Sequence, residues 1–141
     1  MTDKAQALLD KYYRVMGKWQ TLTAVEASEL VADDCIIHEA KSLPFGGPWK
    51  GPQGIVDLMA TVQRTFHPFE FEMRKMSASD DVVAFLGQIS GEGGKGRFSI
   101  PIVEFWIFRD GKAVEIYPMW HDTKLVMDVY RGDETKDRKS K

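Results

Sequence analysis

Apolar side chains at Ala5, Leu8, Leu9, Tyr12, Val15, Met16 and Trp19 recur at helical spacing and predict a helix over residues 4–16. Asp3 is its expected cap, with Gln6 three residues on, and Gly17 its expected end. Thr23 and Glu26 form a second capping box, opening a short helix to about Val31. A short strand follows from Cys35 to Glu39. Ile55, Leu58, Met59, Val62 and Phe66 mark the buried stripe of a third helix, with Pro52 in its first turn and Pro68 as its stop. Beyond Pro68 the period changes to two. Phe69, Phe71 and Met73 alternate with Glu70, Glu72 and Arg74, the pattern of a strand with one wet face. Strands are also predicted over 82–90, 97–108 and 113–121, and a short helix over 124–130. Their connections are tight: Ser79-Asp80-Asp81, a glycine-rich turn, and Asp110-Gly111, a strong two-residue hairpin signal.

Short connections make neighbouring strands antiparallel. The expected class is therefore α+β: a single-domain cone in which a curved antiparallel (mixed) sheet wraps over about three N-terminal helices. Such a cone leaves a hollow between its layers, where pockets form. The domain is expected to span 1–131, followed by a charged, disordered tail over 132–141. The Gly/Pro-rich loop over 41–51, carrying Phe45 and Trp49, is either a lid or packing at the edge of the core.

Size and charge narrow the function classes. A chain of 141 residues buries roughly two thirds of its unfolded surface without staples. The net charge of −2 offers no electrostatic footprint for nucleic acid or an anionic membrane. No apolar run reaches spanning length and the N-terminus has no signal-peptide core, so a cytoplasmic protein is expected. The single cysteine, Cys35, cannot form an internal disulfide and lies in an apolar run, which reads as core packing. Gly91, Gly93 and Gly96 match a dinucleotide fingerprint in spacing alone, because they precede a strand rather than a helix. No metal-ligand spacing and no cofactor motif is present, so neither a metal nor a cofactor is expected.

Candidate chemistry starts at Glu104. It is the lone charge in Ile100-Pro101-Ile102-Val103-Glu104-Phe105-Trp106-Ile107-Phe108, a run expected to be a strand covered on both faces. A carboxyl buried there stays protonated unless a cation pairs with it. Arg97 and Arg109 are the candidates for such a structural ion pair. The next strand ends in Trp120-His121-Asp122, so adjacent strands supply two carboxyls, an imidazole and an indole. Neighbouring residues on a strand face opposite ways. Only one of His38 and Glu39, and one of His121 and Asp122, therefore enters the hollow unless a bulge intervenes near Pro118.

The segment Leu30-Val31-Ala32-Asp33-Asp34-Cys35-Ile36-Ile37-His38-Glu39, the Gly/Pro loop and the third helix resemble the opening half of the nuclear-transport-factor-2-like superfamily. Val103 to Lys112 and Trp120-His121-Asp122 resemble its last two strands, closest to the ketosteroid isomerase and SnoaL-like polyketide cyclase branches. The resemblance covers about residues 5–123. It implies a general base at Glu39, a protonated oxyanion donor at Glu104, an oxyanion tyrosine at Tyr12 or Tyr13, a pocket indole at Trp120 and a cyclase-type acid at Asp122. It also implies a homodimer through the sheet. Both isomerase aspartates would be glutamates in this chain.

The expected function is a cofactor-independent enzyme acting on a hydrophobic carbonyl compound by carboxylate acid–base catalysis: isomerisation, aldol-type cyclisation or dehydration. The paired-carboxyl logic is the one for which ketosteroid isomerase serves as the general example. Glu39, Glu104 and Asp122 are the candidate carboxyls, with His38 or His121 as shuttle. Tyr12, Tyr13, Trp19, Phe45, Trp49, Met59, Trp106 and Trp120 are the candidate substrate contacts. Two rivals stand beside this reading. Epoxide hydrolysis would need Arg97 inside the cavity, and a ligand-binding module without turnover would have Glu104 salt-bridged.

Overall fold

In a computed structural model, the backbone is described for residues 1–139 and the side chains for residues 1–131; the tail expected at 132–141 lies outside the fully described residues. Chain order runs α1 (Asp3–Met16), α2 (Ala24–Ala27), β1 (Val31–Glu39), β2 (Gly47–Lys50), α3 (Gly51–Thr65), β3 (Phe69–Ala78), β4 (Val82–Gly93), β5 (Gly96–Arg109), β6 (Lys112–Trp120) and α4 (Thr123–Lys139).

The strands form one six-stranded sheet in the order β2-β1-β6-β5-β4-β3. Every neighbouring pair is antiparallel except β1 with β6, which makes the sheet mixed. The Asp110-Gly111 hairpin closes as expected. Both residues take positive φ, 53° and 79°, the geometry that matches the twist of its flanking strands. The α1 and α3 stripes (Leu8, Tyr12 and Val15; Ile55, Leu58 and Val62) are buried in the core, together with the inward sheet positions.

Several expectations shift at the edges. Thr2 rather than Asp3 caps α1, accepting the Ala5 amide at 3.0 Å. The Thr23–Glu26 capping box is present, but α2 ends at Ala27. Sheet pairing claims the residues beyond: the Leu30 carbonyl accepts the Ala113 amide, and Val31 opposes Ala113. β1 is correspondingly longer than the predicted strand.

The 41–51 loop is packing rather than a lid. Leu43 and Phe45 are buried, and Gly47–Lys50 adds an edge strand to β1, with Pro48 opposite His38. Gly46 packs so closely that a Cβ would lie 2.3 Å from the Ala40 carbonyl oxygen. Gly46→Ala is therefore expected to destabilise the protein by roughly 1–3 kcal/mol, read as a lower midpoint in urea with an unchanged slope.

One correction bears on function. The apolar run of β5 is not covered on both faces. Phe98, Ile100, Ile102, Trp106 and Phe108 face the core, whereas Val103, Phe105 and Ile107 are exposed on the other face, alongside Leu86 of β4 and Met119 of β6. The sequence reads as doubly buried because this outer face is itself apolar.

Candidate functional site

Between the helices and the inner face of the sheet lies a cavity of about 90 Å³. Its walls are apolar and aromatic. Among the described residues, two carboxyls face it, Glu39 and Glu104, and no lysine, arginine or histidine does. Half-buried Met16, Trp19, Met59 and Phe69 mark its rim, where Trp19 meets Phe69 edge-on with ring centres 6.1 Å apart.

Each carboxyl reaches the cavity by strand alternation. In β1, Cys35, Ile37 and Glu39 point inward. In β5, Glu104 and Trp106 share the inward face two residues apart, so the indole sits beside the carboxyl of its own strand. Trp106 Nε1 donates to Glu104 Oε1 at 2.8 Å. In β6 the inward residues are Ile116, Pro118 and Trp120, and Trp120 Nε1 donates to Glu39 Oε1 at 3.0 Å. Phe45 packs behind Trp120 with ring centres 5.3 Å apart, bracing the indole without lining the cavity.

Burial governs the electrostatics. Glu39 is 6% exposed, and its pKa is pushed up to about 8, first by loss of hydration and then by the nearby Glu104 charge. The Trp120 indole and the Ala40 amide oppose the shift. Glu104 is pushed up to about 7 by burial, against the pull of the Trp106 indole. It is partly buried and lines the cavity. Tyr12, buried and edge-on to Trp106 at 5.1 Å, is raised well above the ordinary tyrosine value by burial and by Glu104. The phenol stays protonated wherever the protein is folded at moderate pH. The site thus holds two reluctant acids and one obligate hydroxyl donor.

The sequence candidates divide cleanly. Glu39, Glu104, Tyr12, Trp19, Met59, Trp106 and Trp120 line the cavity. His38, Tyr13, His121, Asp122, Phe45 and Trp49 do not. His38 points to the outer face, stacked on Tyr117 at 4.5 Å with its Nε2 3.3 Å from Glu115. Tyr13 is 53% exposed, one position off the buried stripe of α1. His121 lies past the end of β6, where its amide reaches the Pro101 carbonyl. Asp122 accepts the Leu125 amide at 3.0 Å at the start of α4 and is exposed. Trp49 is half-buried at the edge, donating to the Phe45 carbonyl at 2.8 Å.

Pro118 makes no bulge. It stands in register opposite Glu104, and the β5–β6 irregularity falls at Ile107–Phe108 instead. The lining residues missed by sequence reasoning include Phe71, Phe85 and Pro118. The inward alternation of β3 and β4 was the signal for the two phenylalanines.

The two possible ion-pair partners of Glu104 are elsewhere. Arg109 pairs with Asp34 at 3.1 Å on the surface, and Arg97 is exposed on the outer face. Among the described residues, no three His, Cys, Asp or Glu side chains gather where a metal ion could be held, and no helix is long and apolar enough to cross a membrane.

Comparison with solved structures finds the same fold repeatedly. Bal32a, from a soil-derived mobile gene cassette, superposes with a TM-score of 0.79 at 16% identity, covering 92% of this chain and 100% of its own. TerC, co-crystallised with polyporic acid, gives 0.73 at 17% identity over 88% of this chain and 98% of its own. A protein from Jannaschia sp. CCS1, provisionally described as a SnoaL-like polyketide cyclase, gives 0.74 at 11% identity over 92% and 96%. Comparison with curated protein sequences finds no match. The profile of the SnoaL-like domain matches residues 10–116, which takes in the second half of α1, the whole of α2 to β5 and the first half of β6 up to Ile116. This chain belongs to the SnoaL-like domain family, within the nuclear-transport-factor-2-like fold.

Proposed function

We propose that this protein is a cofactor-independent isomerase, cyclase or dehydratase that moves a proton on a small hydrophobic carbonyl compound. The observation that carries this reading is the pair of buried glutamates, each held by an indole, in one aromatic cavity with a buried phenol. Tyr12 and Glu104 act together as donors to the carbonyl oxygen, since Glu104 is the charge that Tyr12 feels. Glu39, anchored by Trp120 across the cavity, takes the proton from carbon once it is ionised. At rest Glu104 (about 7) gives up its proton before Glu39 (about 8), so the working form is the minor arrangement of the singly protonated pair, with the proton on Glu104. An enolate forming beside Glu104 favours that arrangement and so sets the division of labour during the reaction. The substrate is not an anion within the cavity, because no described residue there offers a counter-charge to a phosphate or carboxylate. The likeness to TerC, crystallised with polyporic acid, supports a small-molecule ligand.

The singly protonated pair is the working form, so the rate should follow a bell centred between the two carboxyl values, about 7 and about 8. Wash-in of solvent deuterium at the α carbon of 2-indanone, followed by NMR from pH 5 to 10, tests this. A bell with its maximum in that window is expected. A rate that only climbs in proportion to hydroxide would contradict it.

Epoxide hydrolysis loses its distinguishing feature, since Arg97 is outside. A pure binding module loses its own, since an indole and not a cation holds Glu104.

We also propose a homodimer through the sheet. Leu86, Val103, Phe105, Ile107 and Met119 form an exposed apolar patch on the central strands, with Glu70, Glu72 and Arg74 flanking it on β3. A self-complementary two-fold contact covers such a patch. Sedimentation should give a dimer for the wild-type chain and a monomer for Phe105→Glu; a monomeric wild type at tens of micromolar would end the proposal. The free, buried Cys35 suits a reducing, cytoplasmic compartment.

A further inference from the structure

We propose that the cavity is also a receptor for small aromatic amines in their ammonium form, taken up as the carboxyl pair gives one proton to solvent. Among the described residues, two acids face this cavity and no basic side chain does. The described ion pairs all lie among partly or largely exposed side chains: Arg14 with Glu29, Lys18 with Glu26, His38 with Glu115, Arg74 with Glu72, Arg109 with Asp34 and Lys124 with Asp128. The described residues therefore provide the pair with no counter-charge. A buried anion is costly alone and much less so beside a cation that donates hydrogen bonds to it.

The walls suit the same guest. Tyr12 and Trp106 stand perpendicular, at 88° with centres 5.1 Å apart, and Trp120 is tilted against Phe69 at 6.2 Å. Rings set at different angles present π faces from more than one direction, the arrangement that attracts an organic cation. Each indole hydrogen bond engages one carboxyl oxygen, Oε1 in both cases. An ammonium between the two glutamates would donate to the pair while its ring lies against the aromatic wall. At about 90 Å³ the cavity suits one small ring and a short arm.

The proton balance is simple. An alkylamine enters charged at neutral pH, as a lysine side chain would be. One carboxyl proton leaves to buffer, and the occupied site holds one carboxylate, one carboxylic acid and one ammonium. Affinity should rise with pH until the pair is already singly ionised, and proton release should fall over the same range. Among the described residues, no other titratable side chain lines the cavity besides Tyr12, which stays protonated.

The probe is benzylamine, set against benzyl alcohol, a neutral compound of nearly the same shape. Calorimetry of the full chain in two buffers of different ionisation heat reads both affinity and protons released. The amine should bind at least about 10-fold more tightly than the alcohol at pH 7, one charge-assisted contact's worth. It should release close to one proton per site at pH 6 and almost none near pH 7.5, about midway between the two carboxyl values. The double variant Glu39→Gln with Glu104→Gln should erase the preference, and a preference that survives in it would overturn the inference; if that variant fails to fold, the proton release of the wild type decides alone. Equal affinity for the two compounds, or an amine preference with no proton released at pH 6, would overturn the inference. The reading does not depend on turnover. Amine binding without 2-indanone exchange, or the reverse, separates its failure from that of the proposed reaction.

Discussion

Glu39→Gln is expected to lower turnover by about 10³-fold, within the range for loss of a general base. Its KM should change little, because the amide keeps the shape and still accepts the Trp120 hydrogen bond. Glu104→Gln should cost less, on the order of 10²-fold, since an amide can still donate to an oxyanion though it cannot do so as an acid. The asymmetry is the informative part. A base must accept a proton, which glutamine cannot do, whereas a donor need only donate. Steady-state kinetics on any compound whose α-proton exchange is catalysed by the wild type reads both ratios. If Glu104→Gln proves the more damaging of the two, the roles are exchanged.

The second large effect is on stability, and its sign runs against the usual acid-denaturation pattern. An unfolded glutamate releases its proton near 4.5, whereas folded Glu104 and Glu39 hold theirs to about 7 and about 8. Between those values the native state binds more protons than the unfolded chain, so stability falls as pH rises. The contribution is fully present below 4.5, declines through the window and is gone above the folded values. Each group contributes a slope of about 1.4 kcal/mol per pH unit where the two states differ by a full proton. A chemical-denaturation series at pH 5, 6, 7 and 8 should therefore show a decline of a few kcal/mol. Glu39→Gln should flatten it and be more stable than the wild type at pH 8. This is the stability–activity trade-off of a site that buries charge for chemistry. A wild type whose stability rises steadily over that range would contradict it.

Much of this site was readable before any coordinates. Glu104 stands out as one charge in an apolar strand, and β5 turns it inward to the cavity. The Trp106 hydrogen bond was also implicit, because positions two apart on a strand share a face. Tyr12 over Tyr13 could have been decided from the helical stripe, where Leu8, Tyr12 and Val15 align and Tyr13 does not. Asp122 carried a competing signal. An aspartate directly before a helix start is a favoured cap, and capping is where its side chain is engaged.

What stayed hidden was parity. Whether His38 or Glu39 faces inward depends on how β1 registers against β2 and β6, which are 8 and 73 residues further along the chain at their starts (47 − 39 and 112 − 39). The pairing of Ile37 with Trp49 and with Ile116 sets that choice, and no local pattern contains it. The edge strand β2 was hidden for a related reason. Its Gly47-Pro48 start reads as a loop, and only pairing to β1 makes it a strand.

The most direct test of the shared, sheltered carboxyl pair is a ¹³C NMR titration of glutamate side-chain carboxyls from pH 4 to 10, with Glu39→Gln and Glu104→Gln as assignments. Two resonances moving with midpoints near 7 and 8 are the predicted result, the Glu39 midpoint falling when Glu104 is removed. Both titrating between 4 and 5 would mean that water reaches them freely, and the acid–base account would not survive.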